Sequence, residues 1–466
     1  MDVIILGASE VGFQLAKQLI YENRKVTLIE KHPQRAKLAS SQLDCMVINQ
    51  SGNNLALLIK AGIKEAQYFI AVTESDEINM ISCGLAASVE NKPITIARVR
   101  NIDYSNSAVI ENKLFGIDYV FNPEIEAAKV ITRSIEQGAM SNVMLFENEN
   151  LEMRSIVIRD GSPLVHKKLE ELRKAIDKEF LIPVIQRNNN YIVPSGDTTI
   201  EYYDLIYLLS AKNDFEDILR FFGMKKREIR NIAIVGGGRI GRYIIEALGQ
   251  GQPTGKNILA RIMNLTRQKR KKIHIIEYDY ELCKYLTERF PHIDITNADV
   301  SEESIWEDEI LSDYDLLIST TGSQELNIIT SIYAKKMNID RTIAMVKKNS
   351  YQSIANELGI DVSVSMNNTL VNSIQKIIRK GNIRSVHNVS GSSFEILELV
   401  LEASSQMCNQ KIEDIKLPKN TIILYITRES KNMIPGGDTE LTAGDHIVII
   451  TQKNTIQKIE RLFTGQ

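Results

Sequence analysis

The chain is 466 residues long, 43% hydrophobic and 25% charged, the make-up of an ordinary globular protein with room for several domains. Its 56 Lys and Arg against 59 Asp and Glu leave a formal net charge of −3, without the basic excess of a dedicated nucleic-acid binder. No run of about 18 apolar residues marks a membrane span.

The first apolar run, 3–6, ends in Gly7-Ala8-Ser9-Glu10-Val11-Gly12 and leads into helical periodicity over 13–22. With no basic stretch before it, this start predicts a strand entering a turn, not a signal peptide. Further runs at 26–29, 45–48, 68–72, 94–99 and 118–121 alternate with amphipathic stretches such as 77–89. Strands separated by helices predict βαβ units and a parallel sheet. After a candidate linker at 147–150 the texture changes, and 151–210 reads as short β runs around one helical stretch. Segment 212–228, with Phe215, Ile218, Leu219, Phe221 and Phe222, predicts a helix joining two halves, its basic end Lys225-Lys226-Arg227 an exposed boundary.

The order then starts again. Ile232-Ala233-Ile234-Val235 leads into Gly236-Gly237-Gly238-Arg239-Ile240-Gly241, and runs follow at 273–276, 293–296, 314–318, 342–346 and 361–364 before β-rich 394–451. Pro194-Ser195-Gly196-Asp197-Thr198 also returns, as Pro435-Gly436-Gly437-Asp438-Thr439. Two unrelated signals recurring in the same order mark a tandem duplication. The expected fold class is α/β: two Rossmann-like, doubly wound parallel-sheet domains, each followed by a small α+β domain. The expected divisions are 1–140, 145–222, 228–385 and 390–466.

A glycine-rich turn between strand and helix serves phosphates. Its glycines allow the tight turn, close phosphate approach and close helix packing, and the helix N-terminus offers free N–H groups. An acid ends the second strand of each copy, Glu30 and Glu277. A carboxylate there accepts ribose hydroxyls and repels a 2′-phosphate, favouring NAD or an adenine nucleotide over NADP. The copies differ. Copy two has all three glycines, whereas copy one has Ser9 in the middle, whose Cβ is expected to crowd the phosphates. Copy one carries Arg98 and Arg100 after its fifth strand, groups suited to phosphate oxygens, where copy two has Lys347 and Lys348. Copy two also holds about 18 extra residues near 249–270, with a basic cluster from Arg261 to Lys272. The four cysteines show no CxxC spacing and predict reduced thiols in a cytoplasmic protein.

The order of glycine turn, Glu30, Asn54–Ile63, Ala71–Asn79 and Ala97-Arg98-Val99-Arg100-Asn101 resembles the RCK (KTN) domain family, and the Pro-x-Gly-Asp-Thr units resemble its C-terminal domain. The resemblance covers essentially the whole chain. It implies a cytoplasmic, non-enzymatic regulatory subunit, peripheral on the inner face of the membrane. In that family it forms a homo-oligomeric ring, a dimer or tetramer, beneath a potassium channel or transporter subunit of the TrkH, TrkG or KtrB type. NAD(H) or ATP/ADP would be the regulatory ligands. The ligand-facing residues it implies are Gly7, Ser9, Glu10, Val11, Glu30, Thr73, Arg98 and Arg100 in copy one. In copy two they are Gly236, Gly238, Arg239, Ile240, Glu277, Asp299, Thr320 and Lys347. Family members carry an Asp after the third strand; copy two keeps it in Ala298-Asp299-Val300, and copy one reads Gln50-Ser51-Gly52. The alternative, an NAD-dependent dehydrogenase, needs an acid–base residue beside the nicotinamide, and the six histidines show no such pairing.

Overall fold

The computed structural model describes residues 2–22, 24–105, 115–136, 138–139, 143–146, 151–158, 161–188, 190–224, 229–248, 271–302, 304–307, 313–378, 383–389, 392–429 and 431–464. The insertion at 249–270, the linker 147–150 and the basic Lys225-Lys226-Arg227 therefore lie outside the described residues. Two units are distinguished: Met1–Ala127 with Met366–Lys380, and Ala128–Ser365 with Gly381–Gln466.

In the first unit the strands are β1 (Asp2–Leu6), β2 (Lys25–Ile29), β3 (Met46–Ile48), β4 (Tyr68–Ala71), β5 (Ile94–Arg98) and β6 (Tyr119–Phe121). All pair in parallel, in the order β3-β2-β1-β4-β5-β6. This is the doubly wound dinucleotide-binding order, with its ligand crevice beyond the carboxyl ends of the strands where the order reverses, beside β1. The short runs are Val/Ile/Leu-rich because both faces are covered. One face packs against Leu15 and Leu19 of the helix Glu10–Tyr21. Completing that layer are Leu370, Val371 and Ile374 of the helix Met366–Ile378, which closes the second copy in sequence but covers the first copy's sheet. Polar contacts fix its place: Tyr68 Oη donates to the Ile378 carbonyl at 3.3 Å, and Ser373 Oγ donates to Glu126 Oε2 at 2.9 Å. The other face buries Leu58, Phe69, Cys83 and Ala97.

The second unit opens with an antiparallel sheet of β7 (Val143–Leu145), β8 (Leu151–Val157), β9 (Phe180–Arg187), β10 (Asn190–Ile192) and β11 (Leu205–Ala211). Next comes a second parallel sheet of β12 (Asn231–Val235), β13 (Lys272–Glu277), β14 (Asp294–Asn297), β15 (Leu316–Ser319), β16 (Arg341–Val346) and β17 (Val362–Ser365). Its order, β14-β13-β12-β15-β16-β17, repeats that of the first. The chain ends in another antiparallel sheet, β18 (Ile383–Asn388), β19 (Phe394–Val400), β20 (Ile422–Arg428), β21 (Lys431–Met433) and β22 (His446–Gln452). The two small sheets share one core, with Met153, Tyr207 and Leu209 against Ile396, Tyr425 and Val448.

One expectation is corrected here. The joining helix spans only Phe215–Phe221, and Phe215, Ile218 and Leu219 are buried in the core of the first small sheet, so it belongs to that sheet's layer. The first small sheet has Glu201-Tyr202-Tyr203-Asp204 where the second has Thr442-Ala443-Gly444-Asp445. Tyr203 takes the same left-handed conformation, φ 65° against 89° at Gly444, and accepts the strain that glycine avoids.

Candidate functional site

Each crevice begins with backbone geometry. Gly7 and Gly236 turn the chain at φ 104° and 98°. Gly12 and Gly241 bring the helix against the turn so closely that an added Cβ would lie 1.9 and 2.4 Å from the carbonyl oxygens of Gly7 and Gly236. The first-turn amides that follow have no helical acceptor and face the crevice with the positive end of the helix dipole. Glu10 and Arg239 stand exposed at this helix start. Val11 and Ile240 are buried, so they offer the crevice their backbone rather than their side chains.

Glu30 and Glu277 are nearly inaccessible and tie the turn to the second strand. Glu30 Oε2 accepts the Ala8 N–H at 2.6 Å and Oε1 the His32 N–H at 2.8 Å. Glu277 does the same with the Gly237 and Asp279 N–H groups, at 2.7 and 3.0 Å. Each oxygen keeps a further acceptor lone pair for a ligand hydroxyl. The acid thus has a second task that the sequence did not announce: it sets the shape of the turn.

Ser9 is accommodated by the protein around it. Its backbone (φ −60°, ψ 172°) matches that of Gly238 (φ −59°, ψ −168°), and a Cβ at Gly238 would meet no protein atom within 4 Å. Ser9 Oγ is turned onto the Val72 carbonyl at 3.2 Å. The position does not demand glycine for folding.

Beyond β4 and β15 lies a constellation that sequence reasoning missed. Asn79 Oδ1 accepts from Thr73 N–H and Oγ1 at 2.9 and 2.7 Å, while Nδ2 donates to the Arg98 carbonyl at 2.8 Å. Asn327 repeats this with Thr321 N–H and Oγ1 at 2.8 and 2.7 Å and the Met345 carbonyl at 2.9 Å. The counterpart of Thr73 is therefore Thr321. Thr320 corresponds to Val72 and is buried, its hydroxyl donating to the Gly236 carbonyl at 3.2 Å. The signal was present as Thr-x-Ser-x-x-x-Asn, at 73–79 and 321–327.

The basic residues also shift in register. Arg100 and Lys347 are true counterparts: their backbone N–H groups bind Asp76 and Gln324, and their side chains donate to the Glu74 and Gly322 carbonyls at 2.6 and 2.8 Å. Arg98 corresponds to buried Met345, so copy two has no second cation there. Burial and the neighbouring Arg100 push down the Arg98 pKa, and its Nε finds no acceptor among the described residues. Asp299 occupies the place of Ser51. It is exposed and held below the usual carboxylate range by the Ser301 N–H and hydroxyl.

In the first copy an open cleft of about 200 Å³ is lined by Ser9, Glu30, His32, Ser51, Thr73 and Ser75 among others. His274, by contrast, is a core residue, set between Tyr314 Oη at 2.8 Å and Thr296 Oγ1 at 2.7 Å, and burial holds its pKa below the ordinary value. Among the described residues no His, Cys, Asp and Glu group could hold a metal ion, and no helix is long and apolar enough to cross a membrane.

With this geometry the comparisons agree. The TrkA-N domain matches residues 3–123 and 232–366, and the TrkA-C domain 153–223 and 396–464. The chain belongs to the TrkA family. The Trk system potassium uptake protein TrkA of Halomonas elongata is 28% identical over 99% of this chain and 98% of its own. The homologue from Archaeoglobus fulgidus is 28% identical over 99% and 100%. In structure the chain is similar to the GsuK RCK domain, with TM-score 0.55 and 17% identity over 100% of this chain and 95% of that one. It is also similar to the GsuK channel bound to NAD, with TM-score 0.54 and 16% identity over 100% and 79%. These two share the fold.

Proposed function

We propose that the chain is a nucleotide-sensing regulatory subunit of a potassium-uptake system, lying on the cytoplasmic side of the membrane and acting on a membrane-embedded potassium channel or transporter subunit of the TrkH, TrkG or KtrB type. The observation that carries this reading is the twice-built crevice, with its glycine turn, tethered acid and Thr–Asn lock, on a chain whose relatives are potassium-uptake proteins. An adenine nucleotide, NAD(H) or ATP/ADP, suits it. Glu30 and Glu277 would take the ribose hydroxyls, and the turn amides with Ser9 or Gly238 would face the phosphates. Glu10, Val11, Thr73, Arg98, Arg100 and Ser51 would complete the first cleft; Arg239, Ile240, Thr321, Lys347 and Asp299 would complete the second. The GsuK channel, which shares the fold, has been solved with NAD and with ADP bound.

The mechanism needs no chemistry on the ligand. A nucleotide that fits one crevice geometry better than another shifts the population toward it, by no more than the difference in its two affinities. An assembly of two or four chains would sum that bias at the membrane partner.

The test is potassium flux through vesicles holding the membrane subunit. Adding this chain is expected to make flux respond to NADH, ADP or ATP at fixed potassium, and the response should saturate with nucleotide. Flux that is regulated by the chain but indifferent to every nucleotide would overturn the reading.

A further inference from the structure

Across the first cleft runs an ion pair that has no equivalent among the described residues of the second. Arg35 is on the helix Pro33–Gln42 that follows β2, and Glu74 is in the loop that follows β4. These two strands flank β1 on opposite sides. Arg35 Nη2 nevertheless reaches Glu74 Oε1 at 2.9 Å, and both residues line the cleft whose floor holds Gly7, Glu30 and Ser51. The Arg35 hydrogen bond and charge hold Glu74 below the usual carboxylate range. The same register that equates Glu30 with Glu277 and Thr73 with Thr321 places Leu282 at the position of Arg35 and Gly322 at that of Glu74. Among the described residues, these positions of the second crevice carry no such bridge.

We propose that Arg35 and Glu74 are a positioning pair, a latch across the first cleft that retains an adenine nucleotide there and gives the two sites of one chain different residence times. This rests on the nucleotide reading of the cleft. A ligand running from the acid at the end of β2 to the turn after β1 passes beneath the bridge, and entry and exit require the pair to part. Both side chains are partly solvent-exposed, 43% and 65%, so the latch is a modest, salt-sensitive one. Its effect lies in rates more than in the fold, because neither residue belongs to the core.

The experiment follows release of radiolabelled ADP from the full chain, chased with unlabelled ADP. Two release phases are expected, one per cleft. Replacing the pair by its second-copy residues, Arg35→Leu with Glu74→Gly, should speed one phase roughly two- to fivefold. That difference should vanish in about 1 M salt, where screening reaches within a few ångströms. The reciprocal Leu282→Arg with Gly322→Glu should slow the other phase; a side chain has room at 322, where an added Cβ would meet nothing within 4 Å. Two saturable phases that neither double variant alters would sink the latch and leave the nucleotide reading standing. Absence of any ADP binding to the wild-type chain would take down both.

Discussion

Gly12→Ala should unfold the first parallel-sheet domain or cost it about 3 kcal/mol or more, at the upper end of overpacking penalties. The new methyl would stand 1.9 Å from the Gly7 carbonyl oxygen and 3.1 Å from its carbon, both backbone atoms. Neither can give way cheaply. Gly7 N–H is bonded to the Ile29 carbonyl at 2.8 Å, and Ala8 N–H is held by Glu30. Denaturant unfolding with a probe in the first domain measures the cost. Because the chain has several domains, the affected transition must be read separately from the others. Gly238→Ala is the control: its φ of −59° suits any residue and its Cβ meets open space, so stability should change by well under about 1 kcal/mol. Equal losses in the two variants would refute this account of the turn.

Asp445→Ala should cost about 3 kcal/mol, the lower end for breaking a buried ion pair, because Arg428 remains one-third exposed and can recover some hydration. Asp445 is fully buried in side chain and accepts Arg428 Nε and Nη2, each at 2.8 Å, and Thr442 N–H at 2.8 Å. Burial alone would raise its pKa, but those donors outweigh it and hold the carboxyl below its ordinary 3.8. A carboxyl depressed on folding stabilises the protein above its unfolded pKa. That contribution is lost as pH falls through the depressed folded value, here below about pH 4. Thermal unfolding across that range should show wild-type stability converging toward that of the variant. A constant gap down to strongly acid pH would show that the carboxylate's charge is not what stabilises the turn.

Much of this fold was legible because the runs that form the sheets are continuous and apolar, and parallel strands buried on both faces must be. Glycine turns and strand-ending acids were legible because few residues meet those geometric demands. What escaped was information carried between distant segments. Nothing in Met366–Ile378 marks it for the first copy's sheet, since an apolar stripe reports that a helix is covered, not by what. Thr320 and Thr321 are adjacent hydroxyls, and only the bond to Asn327 says which one holds the loop. Arg98 and Arg100 look like one cationic pair in sequence, yet Arg98 closes β5 with its Nε short of an acceptor among the described residues, while Arg100, past the strand, is the counterpart of Lys347. The asymmetry between the copies extends beyond Ser9 to charge: Arg98, Arg35 and Glu74 in the first against Met345, Leu282 and Gly322 in the second.

The central claim, two nucleotide-binding clefts per chain that do no chemistry on their ligand, is tested most directly by native mass spectrometry of the full chain titrated with NADH or ADP. Two nucleotides per chain are predicted at saturation, with NADH recovered intact. At the same ligand concentration Glu277→Ala should hold one, since losing a charged acceptor costs roughly 1.5–3 kcal/mol of binding. A wild-type chain that binds no nucleotide, or a Glu277→Ala chain that still binds two with unchanged affinity, would contradict it.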